Sequence, residues 1–150
     1  MELKDEIIIN ASQAVVYAAL NDPEVLKQCI PGCEELIKHS NTELEAKVVL
    51  KIGPVKAKFS GNVTLSPAEP PERFSLAGTG NGGAAGYAKG GAVVELEQHQ
   101  DGTLLRYTAT ADIGGKLAQL GSRLIQGTAK KLAAEFFKSF ADLVRENNAG

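Results

Sequence analysis

One stretch constrains the fold of this chain more than any other. From Gly114 to Glu146 no proline occurs, and apolar residues recur at Leu117, Leu120, Leu124, Leu132, Phe136, Phe140 and Leu143. Spacings of three, four and eight residues mark one face of a helix. Gly114-Gly115 breaks the pattern in front of it, so the spacing predicts a single helix from about Lys116 to Glu146, roughly 45 Å long at 1.5 Å per residue. Such a helix is far longer than an average one, and the rest of the chain must be arranged around it.

The residues before it change period. Glu2–Asn10 ends in a β-branched run and reads as a first strand. Ser12 can cap a short helix through Leu20, and Asn21-Asp22-Pro23-Glu24 opens a second, with a capping carboxylate and proline in the first turn. Pro31 must end that second helix near Cys29-Ile30. From Glu34 to Ile113 the period is two. Leu44-Ala46-Val48-Leu50-Ile52 and Val55-Ala57-Phe59-Gly61-Val63-Leu65 face one way, while glutamates, lysines and small polar residues face the other. Gly53-Pro54 joins those strands, Pro67–Pro71 is a break, and a strand follows at Glu72–Gly78. The last two strands, about Gly86–His99 and Thr103–Ile113, meet at the hairpin signal Asp101-Gly102. The order is one strand, two short helices, about six strands and a long helix. This is an α+β fold, a curved antiparallel sheet of six to seven strands gripping a C-terminal helix, in a single domain over residues 1–150.

Several functions are excluded by what the chain lacks. A net charge of −2 does not supply the concentrated basic face that nucleic acid requires. Lys47, Lys51, Lys56 and Lys58 fall at strand spacing and read as a solvated face. The N-terminus has no apolar run resembling a signal peptide, and no stretch approaches the ~20 apolar residues of a membrane span. A cytoplasmic protein with reduced Cys29 and Cys33 is therefore expected. A lone C-x3-C with only His39 and His99 is too few ligands for zinc, so no metal is expected. Gly78–Gly91 contains seven glycines and satisfies G-x-G-x-x-G, but its glycines would cripple the helix a dinucleotide site needs. A hairpin with bulges at Gly90-Gly91 is the expectation there. Asp112 and Arg106 share the outward parity of one strand and are expected to pair in solvent. Nothing forms a general acid/base couple, and no catalytic residue is assigned.

The inward positions are more informative. Ala46, Ala57, Gly61, Ala92, Ala109 and Ala111 point toward the helix, which answers with Gly121 and Thr128. Small residues opposite small residues mean either close packing or space. A sheet already curved around its helix favours space, and an apolar cavity is a natural ligand site. Leu50, Phe59, Val63, Leu96, Leu105 and Tyr107 would line its sheet side, with Leu117, Leu120, Gly121 and Leu124 on the helix. Ile30, Pro31, Gly82 and Gly83 would form the mouth, and Tyr107 is the polar handle on the wall. The drift of the helical stripe divides the helix: its second half closes the core and its first half walls the cavity.

Three sequence elements carry a resemblance: Leu20-Asn21-Asp22-Pro23-Glu24-Val25-Leu26, Cys29-Ile30-Pro31-Gly32-Cys33-Glu34 and Gly53-Pro54-Val55-Lys56-Ala57. The glycine-rich loop and Gly114-Gly115-Lys116-Leu117-Ala118-Gln119-Leu120-Gly121-Ser122-Arg123-Leu124-Ile125 extend it to residues 3–143. The chain resembles the CoxG family of carbon monoxide dehydrogenase subunits, within the START-like, Bet v 1-like (SRPBCC) helix-grip superfamily. That resemblance implies a non-catalytic accessory protein of a molybdenum hydroxylase-type dehydrogenase. It also implies a bound lipid or respiratory quinone (menaquinone or ubiquinone) and peripheral contact with the inner face of the cell membrane, linking the enzyme to electron transport. Some members are expected to continue into a C-terminal anchoring tail; this sequence stops at Gly150. The alternatives are a docking or maturation factor acting through its surface, and a cyclase-type enzyme on the same fold.

Overall fold

The computed structural model describes residues 1–149, the side chains of residues 67–69 and 146–149 excepted. Seven strands form one antiparallel sheet: β1 (Glu2–Ile9), β2 (Cys33–Lys38), β3 (Glu43–Ile52), β4 (Val55–Glu69), β5 (Arg73–Asn81), β6 (Tyr87–His99) and β7 (Gly102–Gly114). Their order is β1-β7-β6-β5-β4-β3-β2. Strands β2 to β7 are a meander joined by short turns, and β1 closes the far side by pairing with β7. Two short helices, α1 (Gln13–Leu20) and α2 (Pro23–Cys29), connect the two edge strands, and α3 (Ser122–Ala149) lies last.

Local chemistry explains the short helices. Ser12 Oγ accepts from the Val15 backbone N–H at 3.3 Å, and Asp22 Oδ1 accepts from Glu24 N–H at 2.9 Å, so both N-termini are capped. Gln13 Nε2 donates to the Leu96 carbonyl at 2.8 Å and pins α1 to β6. The buried Thr103 hydroxyl donates to the Ala11 carbonyl at 2.7 Å, so its burial leaves no polar group unsatisfied.

The core sits at one end of the sheet. Ile9, Val16, Leu20, Val25, Cys29, Phe74, Val94, Leu96 and Leu105 enclose Phe140 and Val144 of α3. Those two are the buried positions of α3 among the described side chains, at 0% and 1% exposure, and both lie in its second half. The second half of α3 thus closes the core, as its stripe predicts.

Four local expectations need correction. The helix does not start at Lys116: Gly115–Leu120 is a 3-10 turn, and Gly121, at φ +94°, separates it from α3. Leu117 and Leu120 therefore belong to a separate segment, because a left-handed residue cannot propagate an α-helix. β4 runs through Pro67 to Glu69, with the register shift falling between those residues. Gly90 and Gly91 are regular ladder residues and not bulges. A side chain at Gly90 would strike the Thr110 carbonyl, so close backbone approach explains that glycine. Arg106 pairs with Glu6 at 3.2 Å and Glu97 at 2.8 Å, across the β1 and β6 ladders, instead of with Asp112.

Candidate functional site: the space between sheet and helix

The inward residues of the sheet form rows across the strands. The register aligns Ala46, Gly61, Gly80, Ala88 and Ile113 in one row, and Leu44, Val63, Gly78, Gly90 and Ala111 in the next. Further along come Leu65, Leu76, Ala92, Ala109 and Leu3, then Phe74, Val94, Tyr107 and Asp5. Glycine and alanine thus concentrate in the middle of the inward face on β4 to β7, with leucine, valine and aromatic residues toward the core end.

The helix cannot close on the small rows as it does on the large ones. Leu50, Phe59, Val63 and Ala92 point inward yet are only half-buried, as are Ile125, Thr128 and Leu132 of α3. Inward side chains over the first half of α3 are therefore left partly accessible to solvent. Gly80 is the sharpest indicator, because a Cβ there would meet nothing within 4 Å, although the residue occupies an inward strand position.

Aromatic rings mark the boundary with the core. Tyr107 stacks on Phe137 at 5.0 Å with an interplanar angle of 20°, Phe137 meets Phe136 edge-on at 5.0 Å, and Phe136 stacks on the buried Phe140 at 5.9 Å. Tyr107 also opens onto a cleft of about 860 Å³ between β1 and α3, lined by Leu3, Asp5, Ile7, Gln126, Lys130, Ala133 and Phe137 among others. Gln126 spans the cleft at one end, its Nε2 donating to the Glu2 carbonyl at 2.8 Å. Among the described residues the Tyr107 hydroxyl has no hydrogen-bond partner within the protein. Burial, and secondarily the negative charge of Asp5, pushes the phenol above its usual pKa. It is therefore a neutral donor at physiological pH.

The sequence-derived lining residues separate into three groups. Leu50, Phe59, Val63, Tyr107 and Leu120 are half-buried, the first three at inward positions of β3 and β4. Leu96 and Leu105 are instead in the closed core, at 4% and 0% exposure, because they occupy the row next to Phe140. Leu117 is buried beneath the 3-10 turns, while Gly121 and Leu124 are exposed, Gly121 serving as the break before α3. Ile30 and Pro31 line a groove of about 510 Å³ with Glu135, Lys138, Ser139 and Asp142 of α3. Gly82 and Gly83 belong to the β5–β6 connection, where the Phe59 ring covers Gly82.

Sequence reasoning does not single out Asp5, Gln126, Lys130 or Phe137. The odd-numbered parity of β1, which places Asp5 among Leu3, Ile7 and Ile9, is the available signal. An inward charge on an edge strand also deters strand addition, which gives Asp5 a structural role as well. Among the described residues no group of His, Cys, Asp and Glu could hold a metal. Cys29 and Cys33 are free thiols, both raised in pKa chiefly by burial. His39 pairs with exposed Glu45 at 2.7 Å.

A family model for the carbon monoxide dehydrogenase subunit CoxG matches residues 6–145. The chain belongs to the CoxG family. Membership in CoxG implies an accessory role for, and association with, carbon monoxide dehydrogenase. A crystal structure of a conserved protein from Geobacillus kaustophilus is similar at 30% identity, with 97% of this chain and 96% of that chain covered and a TM-score of 0.91. Proteins from Thermus thermophilus (18% identity, 98% and 99% covered, TM-score 0.73) and Chromobacterium violaceum (15%, 95% and 96%, TM-score 0.71) share the fold. No curated protein matches the chain. No helix among the described residues is long and apolar enough to cross a membrane.

Proposed function

We propose that this CoxG-family protein holds an apolar ligand, a respiratory quinone or a lipid tail, between its sheet and the first half of α3. In this role it links a molybdenum hydroxylase-type dehydrogenase to the electron-transport chain of the membrane. The observation that carries the reading is the set of inward apolar residues left half-buried over the small-residue rows, with Gly80 facing open space. A well-packed interior would leave no such gap, since protein cores pack as densely as organic crystals. Apolar walls with one convergent polar group are the usual form of a small-molecule site. The Tyr107 hydroxyl suits a quinone carbonyl, and Leu50, Phe59, Leu76 and Leu132 suit an isoprenoid chain.

The test is extraction of the purified protein with organic solvent, mass spectrometry of the extract, and titration with menaquinone. Co-purified quinone or lipid, or saturable menaquinone binding, is expected. A clean extract combined with no menaquinone binding would leave the surface-docking or maturation role as the better account.

A further inference from the structure

Helix α3 is held unevenly along its length. Its second half is anchored by Phe140 and Val144 in the core. Its first turn lacks the features that secure a helix start. Gly121, the residue before it, has no side chain to cap the first backbone N–H groups. The turn carries no acidic residue and has Arg123, a cation at the positive end of the helix dipole. Gly127 follows inside the helix, although no neighbour within 4 Å requires a glycine there, and glycine weakens a helix interior. Local opening draws on such low-stability segments.

What lies on either side of this turn is fixed. Leu117 is buried, and the Lys116 and Leu117 backbone packs against Gly86. Between that anchor and the core, Ser122, Arg123 and Leu124 are exposed, and Ile125 and Gln126 are half-buried. Contacts from the turn reach two separate parts of the sheet. Leu124 lies against Gly53 in the β3–β4 turn, where an added Cβ would come within 2.7 Å of the leucine side chain. Gln126 Nε2 donates to the Glu2 carbonyl of β1 at 2.8 Å. In the sheet β7, β6 and β5 stand between β1 and the β3–β4 turn, so the helix start spans the open side of the curve. A surface hydrogen bond and the edge of one leucine are weak fastenings.

We infer that residues 122–126 are a gate over the half-buried inward residues of the sheet. Gly121 and Gly127 are its hinges, the Gln126–Glu2 hydrogen bond is its latch, and the Gly53 turn is the seat of Leu124. Opening breaks contacts on the sheet while Leu117 and Phe140 stay in place, which is the form of a hinge motion. The closed state is the major one, and a small open fraction is enough to let an occupant in or out. The inference rests on the apolar-ligand reading above for what passes the gate, whereas the motion is measurable without a ligand.

Hydrogen exchange of the ligand-free protein, read by mass spectrometry over residues 125–131 and 136–144, tests the gate. The first segment should exchange about tenfold faster than the second, or more. Gly127→Ala should slow the first segment about fivefold by raising helix propensity. Gln126→Met, which keeps the propensity but not the donor, should speed it roughly two- to tenfold. Neither variant should change the second segment. Equal protection along α3, or no response of residues 125–131 to either variant, would overturn the gate. Stopped-flow binding of menaquinone in detergent separates the gate from the ligand reading. Gly127→Ala should slow association and dissociation together at unchanged affinity, because a mostly closed gate alters rates and not the end states. Association unchanged while exchange is slowed would overturn the gate and leave the ligand reading intact. The expected exchange pattern without menaquinone binding to any of the three proteins would sink the ligand reading and leave the opening segment standing.

Discussion

Tyr107 of β7 and Phe137 of α3 stack with their ring centroids 5.0 Å apart, and this pair is the border between two differently packed halves of the molecule. On one side Phe140 and Val144 are sealed against α1, α2 and the large rows of the sheet. On the other, glycine and alanine rows leave inward side chains such as Leu50, Phe59 and Val63 half-buried.

The division predicts unequal costs of truncation along α3. Phe140→Ala removes a fully buried ring and should cost about 3–5 kcal/mol. Leu132→Ala, at a half-buried position over the space, should cost well under half as much. Urea unfolding of the two variants checks this, and similar losses would mean that the space collapses in solution.

Two glycines of the helical region should respond in opposite ways to alanine. Gly127 lies within α3, exposed and with nothing within 4 Å of a would-be Cβ, so Gly127→Ala should stabilise by about 0.5–1 kcal/mol. Gly121 also faces open space, but its φ is +94°. Gly121→Ala should therefore destabilise by roughly 1 kcal/mol or more through backbone strain. Thermal unfolding of both variants measures the two opposite shifts.

Much of this is legible in the sequence, and the exceptions have physical causes. Strict alternation makes the strands and their inward faces plain, because a residue such as Ala92 or Ala109 has only two sides to choose between. The helix start escapes the periodicity because Leu117 and Leu120 keep helical spacing through a 3-10 turn, and only the backbone reveals the left-handed Gly121. Leu96 and Leu105 share inward parity with Tyr107, but parity cannot tell which row meets Phe140. Asp5 and Phe137 join the site through pairing between residues far apart in sequence, which no local pattern encodes.

Tyr107 gives a pH signature. Its pKa is raised by burial and by Asp5, so the folded state holds the phenolic proton more tightly than the unfolded state does. Its contribution to stability is complete below the unfolded value of about 10 and is lost as pH climbs through the raised value. In an alkaline titration followed by phenolate absorbance, Tyr107→Phe should remove a component that titrates above the ordinary phenol range and flatten the decline in stability at high pH. Loss of a component at the ordinary value instead would place the hydroxyl in free solvent.

The central claim, that the gap above the small-residue rows is the ligand site, is tested most directly by filling it from the sheet side. Gly80 lies in the β5 ladder with open space in front of it, so Gly80→Leu should leave thermal stability unchanged or raise it by up to about 1 kcal/mol. The measurement is menaquinone affinity of the wild type and Gly80→Leu, titrated in parallel in detergent. A folded variant that binds about tenfold or more weakly is the predicted result, because overfilling a formed cavity excludes its occupant. Equal affinity in the two proteins would contradict the account and place any bound quinone elsewhere on the molecule.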